Sequence, residues 1–268
     1  MPVVSLRALA GFVSDGMLLA LPPDTSLTPC EFARELVRAG KRELRLLGVP
    51  VSGYASDLLI GAGCVASIET SGVSLGEAGF GPCFTRALAA GQITVTEATC
   101  PAIHTMLQAA EKGVPFMPLR GIIGSDILPH RPDWIVIDNP LSDSSDPIVL
   151  LPALAPDIAA FHAVMADREG NVWVGRRREL ATMAHAARRT LVTVERVTAS
   201  NLLEDERLAP GAISAGYIEA IAVVERGAWP MALLDEYGDD PAHMAEYARL
   251  ARTEEGLRDY LVRYVAVS

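Results

Sequence analysis

Helix-forming stretches and short apolar runs take turns along most of this chain, and several runs are apolar at every position, as in Phe116-Met117-Pro118-Leu119. A strand that is apolar on both faces must be covered on both. A parallel sheet lying between two layers of helices does this. The alternation therefore predicts an α/β fold, with a largely parallel sheet sandwiched by helices.

Local signals place the elements. Thr28-Pro29-Cys30-Glu31 reads as a helix start, with Thr28 as N-cap, Pro29 at the first helical position and Glu31 completing a capping box. That helix is expected to run to about Ala39 and stop at Gly40. Strands are expected at Leu44 to Val49, Val65 to Ile68 and Ile93 to Thr96, and helices at Pro82 to Ala90 and Ala102 to Lys112. The run from Phe116 is expected as a buried strand. Trp134 to Ile137, Ile148 to Leu151, Ile158 to Phe161 and Leu191 to Val194 read as further strands, and Glu179 to Arg188 as a helix. Asp240-Pro241 opens an amphipathic helical tail expected to pack on its own domain. With no repeat or linker, residues 1–268 read as one domain, with a helical C-terminal extension from about 240 to 268.

The formal net charge of -10 argues against nucleic acid and anionic membranes as partners. No uncharged apolar run reaches the roughly 18 residues of a membrane span. The four cysteines, Cys30, Cys64, Cys83 and Cys100, form no close pair and read as reduced thiols of a cytoplasmic protein.

Some motifs mislead. Gly61-Ala62-Gly63-Cys64-Val65-Ala66 fits a loose dinucleotide pattern, but its context is a helix end leading into a strand, the reverse of what that fingerprint needs. Gly72-Val73-Ser74-Leu75-Gly76 fits a nucleophile elbow, yet the glycines and Pro82 that follow oppose the helix such an elbow requires. A triad through Ser74, Asp157 and His185 rests on residue type alone. Cys100 and His104 lack further ligands at a recognisable spacing, so no metal is expected. His162 reads as a hydrogen-bonded core residue. Arg176-Arg177-Arg178 reads as a solvated turn, with an anion contact as the alternative.

Several pieces taken in order carry a family resemblance: Leu36 to Leu44, Asp57 to Gly63, Val73-Ser74-Leu75-Gly76-Glu77, Gly113-Val114-Pro115-Phe116, Ala166-Asp167 with Gly170-Asn171-Val172, and Val192-Thr193-Val194-Glu195. Together they resemble the alpha chain of a family I coenzyme A transferase of the glutaconate CoA-transferase type. The resemblance implies an α/β sandwich. It also implies movement of CoA between an acyl-CoA and a carboxylic acid through a glutamyl-CoA intermediate. In the family that glutamate lies on the partner beta subunit, so Glu69, Glu77, Glu97 and Glu195 are not first choices as nucleophile. CoA is then a substrate, with no permanently bound cofactor. CoA is anionic, so its site needs local donors.

By the same resemblance, Ser74, Gly76 and Glu77 and the loop with Arg120, Gly121, Gly124 and Ser125 line the substrate side of the subunit interface. Ser74 would hydrogen-bond an acyl oxygen or carboxylate, and Arg120 would offset charge. Gly121 and Gly124 would let loop amides approach closely. Gly170 and Asn171 would contact CoA. One departure is plain: Ala20-Leu21-Pro22-Pro23-Asp24 stands where many members carry a glycine-rich loop, and prolines offer no amide donors. The alternatives are one half of a ring-cleaving CoA-ester hydrolase on the same scaffold and a non-catalytic ligand-binding module.

Overall fold

The computed structural model describes residues 3–266. Strands β1 (Val3–Val4), β2 (Leu18–Leu21), β3 (Leu44–Gly48), β4 (Val65–Thr70) and β5 (Thr94–Glu97) are separated by helices α1 (Leu6–Ala10), α2 (Cys30–Arg38), α3 (Tyr54–Gly61) and α4 (Pro82–Ala89). Helix α5 (Cys100–Glu111) leads into β6 (Phe116–Leu119), β7 (Ile135–Asp138) and β8 (Pro147–Pro152). The chain continues through β9 (Ile158–Asp167), β10 (Val172–Trp173), α6 (Arg178–Ala186), β11 (Arg189–Thr198), β12 (Ala212–Ile213) and β13 (Ala220–Val223). Helices α7 (Pro241–Leu250) and α8 (Glu254–Tyr264) follow.

The main sheet has ten strands in the order β1-β13-β11-β9-β2-β3-β4-β5, with β10 and β12 attached beside β9. Every pairing along that path is parallel, and only β10 pairs antiparallel. The two-residue alternation of a strand divides its side chains between two cores. Leu19, Leu21, Leu44, Leu46, Ile158 and Ala160 face a cluster shared with α2, α3, α7 and α8. Ala20, Leu47, Ala159, Phe161 and Ala163 face one shared with α5 and α6. The expected sandwich is what forms.

Three expectations need correction. Thr28 does not cap α2: its hydroxyl donates to the Pro23 carbonyl at 2.7 Å, and the helix begins at Cys30. Glu31 does not reach back either, because Arg34 and Arg38 hold its carboxylate. The Phe116 run is not buried within the main sheet. It joins β8 and β7 in a separate antiparallel sheet of order β6-β8-β7, with Phe116 and Pro118 exposed. The C-terminal tail is two helices, broken between Leu250 and Glu254.

The tail does pack on its own chain. Met244, Tyr247, Leu257 and Tyr260 are buried in the first cluster, and the Tyr260 hydroxyl lies 2.7 Å from that of Tyr54 on α3. Positions 267 and 268 of the expected extension lie outside the described residues. Among the described residues no helix is long and apolar enough to cross a membrane.

Candidate functional site

Strand order reverses between β2 and β9. Successive strands step one way from β2 to β5 and the other way from β9 to β13. In an open parallel sheet the crevice beyond the carboxyl ends of strands at such a point is where ligands bind. The loops reaching that edge are 22–28 after β2, 49–53 after β3, 71–81 after β4 and 224–238 after β13.

Ser74 stands in the loop after β4. Its amide donates to the Ser52 carbonyl at 2.9 Å, and its Oγ accepts the Gly76 amide at 3.2 Å. The loop closes on itself through the Leu75 amide to the Gly79 carbonyl at 2.7 Å. Gly76, at φ 62°, takes a left-handed conformation that suits glycine. Buried Val73 and Leu75 anchor the loop, while Glu77 and Phe80 stand exposed. The Ser74 hydroxyl proton remains free to donate.

Arg120 is exposed and engaged. Its Nε donates to Asp146 Oδ1 at 2.9 Å, and Nη2 takes the other oxygen. This fork from Arg120, with Asn139 beside it, holds the Asp146 carboxyl low, at about 2. Exposed pairs of this kind open at little cost. Gly121 and Gly124 face solvent, and Ser125 Oγ donates within its own turn to the Ile122 carbonyl at 2.8 Å.

Among the described residues no hydrogen bond or salt bridge joins the Arg120 loop to the Ser74 loop directly. They are tied through Arg131. This buried guanidinium meets Glu69 of β4 at 2.7 Å, Asp133 at 2.7 Å and the Glu97 carbonyl of β5 at 3.2 Å, and stacks over Trp134. Arg131 thus pins the segment after the Arg120 loop to the strands that flank the Ser74 loop.

Gly170 and Asn171 are buried in the turn between β9 and β10. Asp167 Oδ1 accepts both their amides, and Asn171 Nδ2 donates to Asp167 Oδ2 at 2.7 Å. Asn171 Oδ1 accepts the Ala215 amide at 2.9 Å. The Asn171 side chain is thereby committed to holding the turn against the segment near β12.

No triad forms. Asp157 accepts the amide that opens β2 and meets Arg45 and Arg188, whereas His185 pairs with Glu111. The dinucleotide-like glycines sit as expected, with Gly61 ending α3 and Gly63, at φ 70°, turning the chain into β4.

Three features of this edge are not read from local sequence. The first is a buried network. Glu195 on β11 accepts from His162 Nε2 at 2.9 Å, the Tyr237 hydroxyl at 2.9 Å and the amides of Arg226 and Gly227. Since a carboxylate only accepts, Nε2 carries the proton and Nδ1 accepts from Thr193. Burial pushes the Glu195 carboxyl up, but these donors outweigh it and hold it at about 2. Burial also lowers His162, which stays neutral. The second is the Arg131 junction. The third is Asp24, whose carboxylate accepts the Tyr54 amide at the head of α3 and which burial raises to about 7. The signal for Asp24 was its place in the departing first loop. Glu195 showed only as the end of a family-like strand.

Two hollows lie away from this edge. One of about 900 Å³ sits at the amino ends of β4 and β5, among Gly63, Ile93 and Leu257. The other, about 680 Å³, is lined by Glu169, Glu204 and Asp205. Neither takes a residue from the Ser74 or Arg120 loops.

A parallel sheet with a crevice at its point of reversal, edged by glycine-rich loops, defines an α/β protein built to handle a small substrate at its carboxyl edge. The chain belongs to the coenzyme A transferase family, whose model matches residues 5–218. It is similar to a protein of Archaeoglobus fulgidus, 32% identical over 97% of this chain, and spans only 58% of that protein's length. It is 29% identical to the A-type half of the 3-oxoadipate CoA-transferase of Pseudomonas knackmussii, covering 98% of this chain and 93% of the relative. The fold superposes on glutaconate coenzyme A-transferase from Acidaminococcus fermentans with a TM-score of 0.89 at 25% identity, over 99% of this chain and 89% of that one.

Proposed function

We propose that this chain is the alpha subunit of a heteromeric CoA-transferase, moving CoA between an acyl-CoA and a carboxylic acid through a glutamyl-CoA whose glutamate lies on a partner beta subunit. The observation that carries the split site is the state of this chain's own carboxylates. Glu195 is consumed by four donors and Glu69 by Arg131. Glu77 and Glu97 stand exposed, with no hydrogen bond to either carboxylate among the described residues. A covalent carboxylate needs to be free yet held beside oxyanion donors, and none of the four is both.

In this reading the partner's carboxylate attacks the thioester carbonyl, CoA thiolate leaves and an anhydride forms. The thiolate attacks the enzyme-derived carbonyl of that anhydride, releasing the first acid and leaving the glutamyl thioester. The acceptor carboxylate attacks this thioester, and the expelled thiolate takes up the new acyl group as the glutamate is released. Each attack builds an oxyanion. This chain supplies the Ser74 hydroxyl as donor, Gly76 to shape that loop, and Gly121 and Gly124 to let loop amides come close. Arg120 exchanges Asp146 for a substrate carboxylate. Glu77 and Ser125 edge the cleft, and Gly170 with Asn171 holds the turn beside the CoA path.

The test is to purify the tagged chain with its partner, add acyl-CoA and trap with hydroxylamine or borohydride. The reading expects a modified glutamate on the partner and none on this chain, with CoA appearing on an added carboxylic acid. Release of free CoA without any acceptor would identify a CoA-ester hydrolase instead. An unmodified pair inert to acyl-CoA would indicate a ligand-binding module.

A further inference from the structure

The small antiparallel sheet has two faces, and only one is covered. In an antiparallel pair, opposed residues share a face, as do residues two apart on one strand. The pairings of Pro118 with Leu150, Ile135 with Leu150 and Ile137 with Ile148 set Phe116, Pro118, Ile135, Ile137, Ile148 and Leu150 on one face. Leu119, Val149 and Leu151 point the other way, into the cluster holding Ile103, Met106 and Leu107 of α5. None of the six joins either hydrophobic cluster. Phe116 is 47% exposed and Ile135 is 59% exposed.

An all-apolar face across three strands is a contact surface, and charge selects its occupant. Between residues 116 and 152 the Lys and Arg side chains are Arg120 and Arg131 alone, and both are in salt bridges. Asp126, Asp138 and Asp143 are exposed and in no salt bridge among the described residues. Two copies of this chain set face to face would oppose acid to acid around the apolar centre. A different chain with an apolar patch edged by Lys and Arg would complement both. The face is also continuous with the Arg120 loop, into which β6 runs directly.

We propose that the outer face of the β6-β8-β7 sheet binds the partner in the split enzyme, a non-identical chain presenting an apolar patch rimmed by basic residues. This rests on the split-enzyme reading above.

A photo-crosslinking amino acid at position 118 or 135 of the full chain, expressed in its host, tests it. Irradiation of the purified complex is expected to join both positions to one second polypeptide of the coenzyme A transferase family. Position 262, exposed on α8, serves as the control and is expected to stay free. Cross-links to another copy of this chain overturn the proposal. So does an intact complex that cross-links from neither position, and so does a chain that is monomeric in its host. As a second measure, Phe116→Asp with Ile135→Asp is expected to lower recovery of the complex roughly tenfold or more. Circular dichroism should be unchanged, and undiminished recovery of the complex overturns the proposal. A complex that cross-links at 135 yet moves no CoA would refute the transferase reading and leave the face standing. An active complex without that cross-link would do the reverse.

Discussion

The Asp24 carboxylate straddles the Tyr54 amide, with its two oxygens 3.1 and 2.9 Å from that nitrogen. It seats an acid at the positive end of α3, yet burial still raises the carboxyl to about 7. Folding therefore favours the protonated acid. Between the ordinary carboxylate range and pH 7 the native state binds more protons than the unfolded chain. Stability from this group is full at acid pH and lost as pH rises through about 7. Asp24→Asn keeps an acceptor for the amide and removes the ionisation. It is expected to be more stable than the parent by about 1–3 kcal/mol at pH 8, with the difference vanishing near pH 4. Urea unfolding at several pH values checks this.

Glu195 behaves oppositely. Its carboxyl is held at about 2, below its unfolded value, so its contribution is present above the ordinary range and lost as pH falls toward 2. Glu195→Gln gives the Arg226 and Gly227 amides a weaker acceptor and can set an amide N–H against the His162 proton. A loss of about 1–3 kcal/mol is expected at pH 7. Faster hydrogen exchange should be confined first to the amides of Arg226, Gly227 and Ala228.

Arg131→Met is expected to cost about 3–5 kcal/mol, because it strands Glu69 without its partner. Arg131→Lys should recover only part of this, since lysine has neither the fork that grips Asp133 nor the plane that stacks on Trp134. Chemical denaturation of the three chains side by side gives the comparison.

Ser74→Ala in the assembled complex is expected to lower kcat/KM about ten- to a hundredfold with stability within about 0.5 kcal/mol of the parent. Arg120→Ala should mainly raise KM for acids with a second carboxylate. Unchanged rate and acyl selectivity in both variants would remove these loops from the site.

The sandwich was legible because hydrophobic period and helix stops are local signals. Gly40, Gly63 and Gly91 all turn with positive φ just beyond their helices. The capping box was not legible, because what took Thr28 away is a carbonyl from the preceding proline turn. Nor was the second sheet. Phe116 to Leu119 is apolar on both faces, which reads as burial, and sequence pattern alone does not say whether the cover comes from the same chain. The Glu195 network was out of reach for another reason: His162 and Tyr237 lie 33 and 42 positions from it. The loops bearing Ser74 and Arg120 were found by resemblance, and their link through Arg131 became visible only in three dimensions.

The hydroxyl partner of Tyr54 arrives 206 positions later, on Tyr260. During synthesis the face of α3 that α7 and α8 cover therefore stays bare until almost the whole polypeptide has been made. The amino-terminal strands can pair early, but their helical layer is finished last. A message truncated even shortly before its stop codon would yield a chain with an open core and a sticky flank, a natural substrate for chaperones and proteases rather than a slightly shorter version of the same protein.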